Sequence, residues 1–111
     1  MTPRLVSSTR RRTRARPPRL ALGECLITPG ASKVLELLAK EGVVGASPAT
    51  LIRRHARGDW GELDAHDRAV NDRALRHGWR VLSAYHFSGG TVRIWVITDG
   101  GTTTVLLPEE Y

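Results

Sequence analysis

The sequence predicts an α+β domain of order β-ααα-βββ, with three helices packed on one face of a small antiparallel sheet. Its clearest signal is a three-stranded meander near the end of the chain, in which two Gly-Gly pairs separate three β-rich runs. In the middle run, positions 92, 94, 96 and 98 are all β-branched, so we expect them to face a core. Trp95 and Ile97 alternate with them and indicate that the back face of this strand is half covered as well.

Local start and stop signals predict the elements that precede the meander. Residues 20–27 form a short apolar run that we interpret as the first strand. Thr28-Pro29 is typical of a helix start, and this helix is expected to run to about residue 41. Ser47-Pro48 repeats the signal for a second helix that ends at Gly58.

The third helix is predicted for residues 65–77, between an N-cap at Asp64 and a stop at Gly78. It is unusually polar, so we expect it to lie on the surface and to contact the core along a narrow stripe. The loop before it contains Trp60, which we expect to be buried and which could form one cluster with Trp79 and Trp95.

The positive charge belongs to the first residues rather than to the domain. The chain carries a net charge of +6, but residues 1–19 contain seven arginines and no acid. Residues 20–111 carry ten Lys or Arg against eleven Asp or Glu, so the predicted domain is close to neutral. We expect the arm, residues 1–19, to be disordered when free, because it has too few apolar residues to bury a face. Alternatively, the start codon is assigned too far upstream, and the arm is an extension of the reading frame.

Composition excludes several classes of protein. Cys25 is the single cysteine, which rules out an internal disulfide and a multi-cysteine zinc site and fits a cytoplasmic protein. No apolar run approaches the length of about 18 residues that a transmembrane helix needs. No cofactor motif is present, and none of the four histidines has the spacing of a metal site, so we predict neither a cofactor nor a metal.

Two groups of residues are candidates for binding. Arginines of the arm and of the second helix could contact phosphates: Arg10, Arg11, Arg12, Arg14, Arg16, Arg19, Arg53, Arg54 and Arg57. A mainly acidic segment around the third helix, together with the back of the sheet, could form a partner surface: Asp59, Trp60, Glu62, Asp64, Asp67, Asn71 and Trp95. N-capping and first-turn acids explain much of the second group without any partner.

A catalytic alternative centres on the strand that carries Ser83 and Tyr85. With Arg93 and a helix histidine, these side chains could form a site like that of a small ribonuclease toxin. Ser83 and Tyr85 are also in phase with Val81, so they could belong to the core face instead. A histidine within hydrogen-bond reach of them in an open cleft would favour the toxin.

Six stretches of the sequence stand out together: Thr-Pro-Gly-Ala at 28–31, Gly-Asp-Trp-Gly-Glu-Leu-Asp at 58–64, Asn-Asp at 71–72, Leu-Ser-Ala-Tyr at 82–85, Ile-Trp-Val-Ile-Thr at 94–98 and Thr-Thr-Val-Leu-Leu-Pro-Glu-Glu-Tyr at 103–111. They resemble a family of small bacterial proteins that are often found on plasmids and other mobile elements. The resemblance covers about residues 20–111 and leaves out the arm. Some relatives carry the label of a type I restriction modification subunit, but this chain lacks the glycine-rich loop and the Asn/Asp-Pro-Pro-aromatic motif of an adenine methyltransferase.

These observations favour a non-enzymatic accessory protein of a bacterial mobile element that acts by binding a protein partner or by assembling with itself. The alternatives are a nucleic-acid-binding protein that uses the arm and the helical arginines, and a small ribonuclease toxin.

Overall fold

The computed structural model describes residues 20–111; the predicted arm and its arginines lie outside the described residues. The elements run in the order β1 (Glu24–Ile27), α1 (Pro29–Lys40), α2 (Pro48–Ala56), α3 (Ala65–His77), β2 (Val81–Phe87), β3 (Val92–Asp99) and β4 (Thr102–Leu106). Short 3-10 turns occupy Ser88–Gly90 and Pro108–Glu110. The prediction of an α+β domain with a β-ααα-βββ order and a meander of its last three strands is therefore confirmed.

Side-chain caps set the starts of the three helices, as their sequence signals predict. The Thr28 hydroxyl accepts a hydrogen bond from the Ala31 amide at 3.1 Å at the start of α1. Ser47 caps α2 and Asp64 caps α3 in the same way. α3 ends at Gly78, whose φ of 71° is the left-handed conformation that a glycine adopts without strain.

The sheet has the spatial order β1-β4-β3-β2. β2, β3 and β4 pair antiparallel, with Tyr85 opposite Ile94 and Val96 opposite Val105. β1 pairs with β4 in parallel, so the sheet is mixed rather than wholly antiparallel. A parallel neighbour needs a long crossover connection, which the three helices and the strands β2 and β3 provide.

The core lies between the sheet and the first two helices. Its buried side chains are Ala31, Leu35, Leu38, Ala46, Leu51, Tyr85, Ile94, Val96 and Val105. Ile94 and Val96 are fully buried and Thr98 nearly so, which agrees with the face predicted for β3. Ser83 and Tyr85 also lie on this face and are fully buried.

The opposite face of the sheet, called the back face below, carries Trp95, Ile97 and Leu106. α3 lies along the outer edge of β2, where it contacts Leu82. No helix within residues 20–111 is long and apolar enough to cross a membrane.

The three tryptophans do not form one cluster. Trp60 is buried beside the His55 ring, at 5.8 Å between centroids. Trp79 is 59% exposed and stacks on His77, and Trp95 contacts Tyr111. The idea of a single cluster was wrong because the sheet separates Trp60 from Trp95.

Candidate functional site

The segment 59–62 covers the outer edge of β2 through an isolated parallel β-bridge between Gly61 and Ala84. The Ala84 amide donates to the Trp60 carbonyl at 3.1 Å, and the Glu62 amide donates to the Ala84 carbonyl at 2.7 Å. Gly61, between them, has a φ of 76°, and a Cβ there would overlap the Ala84 carbonyl oxygen. Only glycine therefore fits at this position.

Two side chains complete the cover of this edge. The Asn71 amide group donates to the Leu82 carbonyl at 2.6 Å and accepts from the Leu82 amide at 3.2 Å, which imitates the pairing of a neighbouring strand. The Glu62 carboxylate accepts from the His86 amide at 2.8 Å. Both outward backbone groups of residues 82 and 84 and the outward amide of residue 86 thus find partners, which protects an edge that would otherwise invite pairing with another chain.

Asp59 links this cover to α2. Its carboxylate accepts two hydrogen bonds from the Arg54 guanidinium, at 2.6 and 3.3 Å, and one from the Gly61 amide. The hydrogen bond from Arg54 lowers the pKa of the Asp59 carboxyl and raises the pKa of Arg54. The same guanidinium lies 4.5 Å from the centre of the Tyr85 ring.

Tyr85 is held by the backbone of the same segment. Its hydroxyl donates to the Asp59 carbonyl at 2.7 Å. Burial raises the pKa of Tyr85 to about 12, so its hydroxyl stays protonated and remains a donor at neutral pH.

A chain of hydrogen bonds crosses the core through His55. Its Nδ1 lies 2.6 Å from the Ser83 hydroxyl, and its Nε2 lies 2.9 Å from the Thr98 hydroxyl. Thr98 lies 2.6 Å from the Thr103 hydroxyl, which donates to the Leu22 carbonyl at 2.7 Å.

The hydrogen bond from Thr103 to the Leu22 carbonyl sets the direction of the other hydrogen bonds in this series. A carbonyl can only accept, so the single proton of Thr103 goes to Leu22, and Thr103 must accept from Thr98. Thr98 then accepts from His55 Nε2–H, and Ser83 donates to His55 Nδ1. The structure thus assigns a neutral imidazole with its proton on Nε2, and burial lowers the pKa of His55 to about 4.

The Ser83–His55 contact has the distance of a nucleophile–base pair but is sealed from solvent. Ser83, His55 and Thr103 are fully buried, and Thr98 is 7% exposed. Of the predicted ribonuclease-like arrangement, only the Ser83–His55 hydrogen bond is present, and it lacks the open cleft that a substrate needs. The prediction that Arg93 joins Ser83 and Tyr85 was wrong, because Arg93 alternates with Ile94 along β3 and lies exposed on the back face. In this conformation the chain of hydrogen bonds can satisfy polar groups of the core but cannot reach a substrate.

The residues predicted for a partner surface mostly serve the cover of β2. Trp60 and Asn71 are 2% and 5% exposed, so they lie inside the protein. Asp64 caps α3, Asp67 lies in its first turn, and Asp72 accepts a hydrogen bond from the Trp60 indole. Across residues 20–111, no group of three His, Cys, Asp or Glu side chains could hold a metal ion.

The arginines predicted for nucleic acid divide into three groups. Those of the arm, Arg10, Arg11, Arg12, Arg14, Arg16 and Arg19, lie outside the described residues. Arg54 is paired with Asp59. Arg53 and Arg57 are exposed near the end of α2, and no carboxylate of residues 20–111 lies within ion-pair distance of them.

Trp95 is half-buried, and Tyr111, which the sequence did not indicate, packs against it and in turn contacts Arg80. The Trp95 and Tyr111 rings meet edge to face at 5.7 Å between centroids. The Arg80 guanidinium lies 5.2 Å from the centre of the Tyr111 ring. Arg80, Trp95 and Tyr111 together are called the aromatic stack below.

An apolar groove adjoins the aromatic stack on the back face. Ile97, Leu106 and Tyr111 line it, together with the polar residues Asp99, Thr102 and Thr104. α1 and α2 pack on the other side of the sheet, so they leave this groove open.

Comparison of the chain with protein-family models, with curated proteins and with solved structures finds no match.

Proposed function

We propose that this chain is a non-enzymatic accessory protein of a bacterial mobile genetic element, acting in the cytoplasm through a protein partner that binds the back face of its sheet. The aromatic stack carries the proposal. The resemblance of residues 20–111 to proteins of mobile elements supplies the biological context.

The composition of the aromatic stack favours a protein partner. Trp, Tyr and Arg are the side chains most enriched among residues that dominate binding energy at protein interfaces. Tyr111 is 66% exposed although it is large and aromatic, and the apolar groove next to it has a floor of Ile97 and Leu106. The contacts of Tyr111 with Trp95 and Arg80 hold the rings in place, which reduces the entropy lost on binding.

Within residues 20–111, the side chains predicted for a catalytic site are buried or already hydrogen-bonded to other parts of the fold. The single Ser–His contact is buried, and the acidic residues near α3 are used as a helix cap and as hydrogen-bond partners. The back face, in contrast, combines accessible aromatic surface with a groove.

The test is partner recovery with charge-matched variants. The tagged full chain is isolated from nuclease-treated extracts of its source cells, and the bound proteins are quantified by mass spectrometry. We expect Arg80→Glu and Tyr111→Asp to lower the yield of one specific protein at least tenfold, a loss of about 1.4 kcal/mol in binding free energy. Direct titration of the two purified proteins then measures the same loss.

Arg57→Glu is the control, because it makes the same charge change at an exposed position at the end of α2. Its partner yield should equal that of the wild type. Equal losses in Arg57→Glu and Arg80→Glu would contradict the proposal, and so would the lack of any protein whose yield depends on the back face.

A second candidate function is nucleic-acid binding, which is favoured by the exposed charges of Arg53 and Arg57, since neither forms an ion pair within residues 20–111. If it is correct, the full chain binds single- or double-stranded DNA with an affinity that falls steeply with salt, and the double substitution Arg53→Ala/Arg57→Ala makes this fall less steep. An unchanged salt dependence in the double variant would exclude these two arginines from the contact.

A further inference from the structure

The two edges of the sheet differ in whether their outward backbone groups have hydrogen-bond partners within residues 20–111. On β2, residues 60, 62 and 71 satisfy both outward backbone groups of positions 82 and 84 and the outward amide of position 86. On β1, the other edge strand, all four residues are exposed, and Leu26 and Ile27 are 47% and 38% exposed. An open edge with apolar side chains is a template for another strand.

The hydrogen bonds that flank β1 show which of its backbone groups have no partner within residues 20–111. The Glu24 amide donates to the Gly101 carbonyl at 3.1 Å, and the Thr28 amide donates to the Val105 carbonyl at 3.0 Å. Backbone groups alternate in direction along a strand, so residues 24, 26 and 28 face β4, whereas Cys25 and Ile27 face away from it. Within residues 20–111, no group bonds the outward amides and carbonyls of these two residues.

We propose that two copies of this chain associate through their β1 strands, which pair antiparallel about a two-fold axis with Leu26 opposite Leu26. Cys25 of each copy then exchanges two backbone hydrogen bonds with Ile27 of the other. All eight outward groups find partners, and the two sheets form one continuous sheet of eight strands.

The strand itself favours a second copy over an unrelated strand. β1 is only four residues long, between Gly23 and the helix cap Thr28, and a second copy matches this length and pairs each outward residue with the other. In the two-fold register, Glu24 stands opposite Thr28 of the second copy, so no like charges face each other.

In this register, the Leu26 side chains of the two copies meet on the back face. Leu26 is paired with Thr104 in the sheet, and Thr104 is paired with Ile97, so all three side chains lie on the back face. Contact between the two Leu26 side chains would therefore join the apolar parts of two back faces. The inference stands apart from the proposed function, since β1 and the aromatic stack lie at different places on the sheet.

The first test is the mass of the full chain in solution, measured by sedimentation equilibrium over a concentration series. We expect a dimer that Cys25→Pro weakens at least tenfold, since proline removes an outward amide hydrogen and leaves the bonds to β4 in place. Cys25→Val keeps the amide and should dimerise like the wild type. Circular dichroism checks that the proline variant is folded.

A disulfide test does not depend on the fold of the proline variant. Residues that face each other in a non-hydrogen-bonded antiparallel pair have Cα atoms about 4.5 Å apart, within the range of a disulfide. Leu26→Cys in a Cys25→Ser background should therefore form a covalent dimer in a glutathione redox buffer. Val44→Cys in the same background, at a position 93% exposed in the loop between α1 and α2, should remain largely monomeric.

Three outcomes would overturn the inference. They are a wild-type chain that is monomeric over the whole series, a dimer that Cys25→Pro leaves intact, and cross-linking no faster at position 26 than at position 44. A dimer that is lost in Arg80→Glu but kept in Cys25→Pro would instead assign self-association to the back face.

Discussion

Ser83 donates a hydrogen bond to His55 Nδ1 across 2.6 Å, and both side chains are completely buried. The contact joins α2 to β2 through polar atoms in the interior of the protein, next to the buried hydroxyls of Thr98 and Thr103. Because His55 Nε2 donates to Thr98, both ring nitrogens are used, and a second proton on the ring would break the hydrogen bond that Ser83 donates and would bury a positive charge.

The first prediction is that stability falls as the pH is lowered from 6.5 towards 4. Burial lowers the pKa of His55 from 6.5 in the unfolded chain to about 4 in the folded one, so in this range the unfolded state binds the additional proton. His55 therefore destabilises the fold progressively below pH 6.5, by roughly 3 kcal/mol when the pH reaches 4. Urea unfolding at a series of pH values measures this loss.

His55→Gln is the control for the pH series. The variant is less stable at neutral pH because glutamine cannot reproduce both hydrogen bonds, but its stability should fall less between pH 6.5 and 4. His66, His77 and His86 are present in both proteins, so their contributions cancel in the difference. Identical pH profiles would show that His55 is not the group responsible.

A second prediction compares two neighbouring threonines of β4. Thr103 is fully buried, accepts from Thr98 and donates to Leu22, whereas the Thr104 side chain lies on the other face of the sheet. Thr103→Val should lower the free energy of unfolding by about 1–3 kcal/mol, because it leaves the Thr98 hydroxyl and the Leu22 carbonyl without their partner. Thr104→Val should change it by about 0.5 kcal/mol or less. Equal effects would mean that the hydroxyl of Thr103 contributes nothing specific.

Local signals made much of the fold predictable. The bounds of α3 follow from Asp64 and Gly78, which act on backbone groups within one helical turn. The face of β3 that enters the core follows from the alternation of β-branched residues, a property of a single strand.

The contacts of the candidate site depend on distant parts of the chain, and the sequence did not reveal them. Asn71 is a helix residue whose amide imitates a strand for Leu82, eleven positions away. Thr98 was expected in the core because it is β-branched, but the role of its hydroxyl follows only from the approach of His55. The parallel pairing of β1 with β4 likewise joins the two ends of the domain.

A third prediction concerns the cover of β2 by Asn71. Asn71→Leu keeps a similar volume but leaves the amide and carbonyl of Leu82 unpaired, so stability should fall by about 1–3 kcal/mol. Hydrogen exchange measured by NMR should show faster exchange of the Leu82 amide in the variant. Arg73→Ala, an exposed change on the same helix, should leave that rate unchanged. Unaltered exchange in Asn71→Leu would contradict the role of the side chain.

A fourth prediction distinguishes backbone strain from steric overlap at two glycines with nearly the same φ. Gly61 and Gly78 have φ values of 76° and 71°, so alanine at either position is strained by about 1 kcal/mol or more. At Gly78 nothing lies within 4 Å of the added Cβ, whereas at Gly61 the Cβ would overlap the Ala84 carbonyl and approach the Tyr85 ring. Gly61→Ala must therefore displace the segment 59–62 from β2 as well, and we expect it to cost at least about 2 kcal/mol more than Gly78→Ala in urea unfolding. Equal losses would mean that the segment 59–62 can move away from β2 at little cost, and that it does not protect this edge of the sheet.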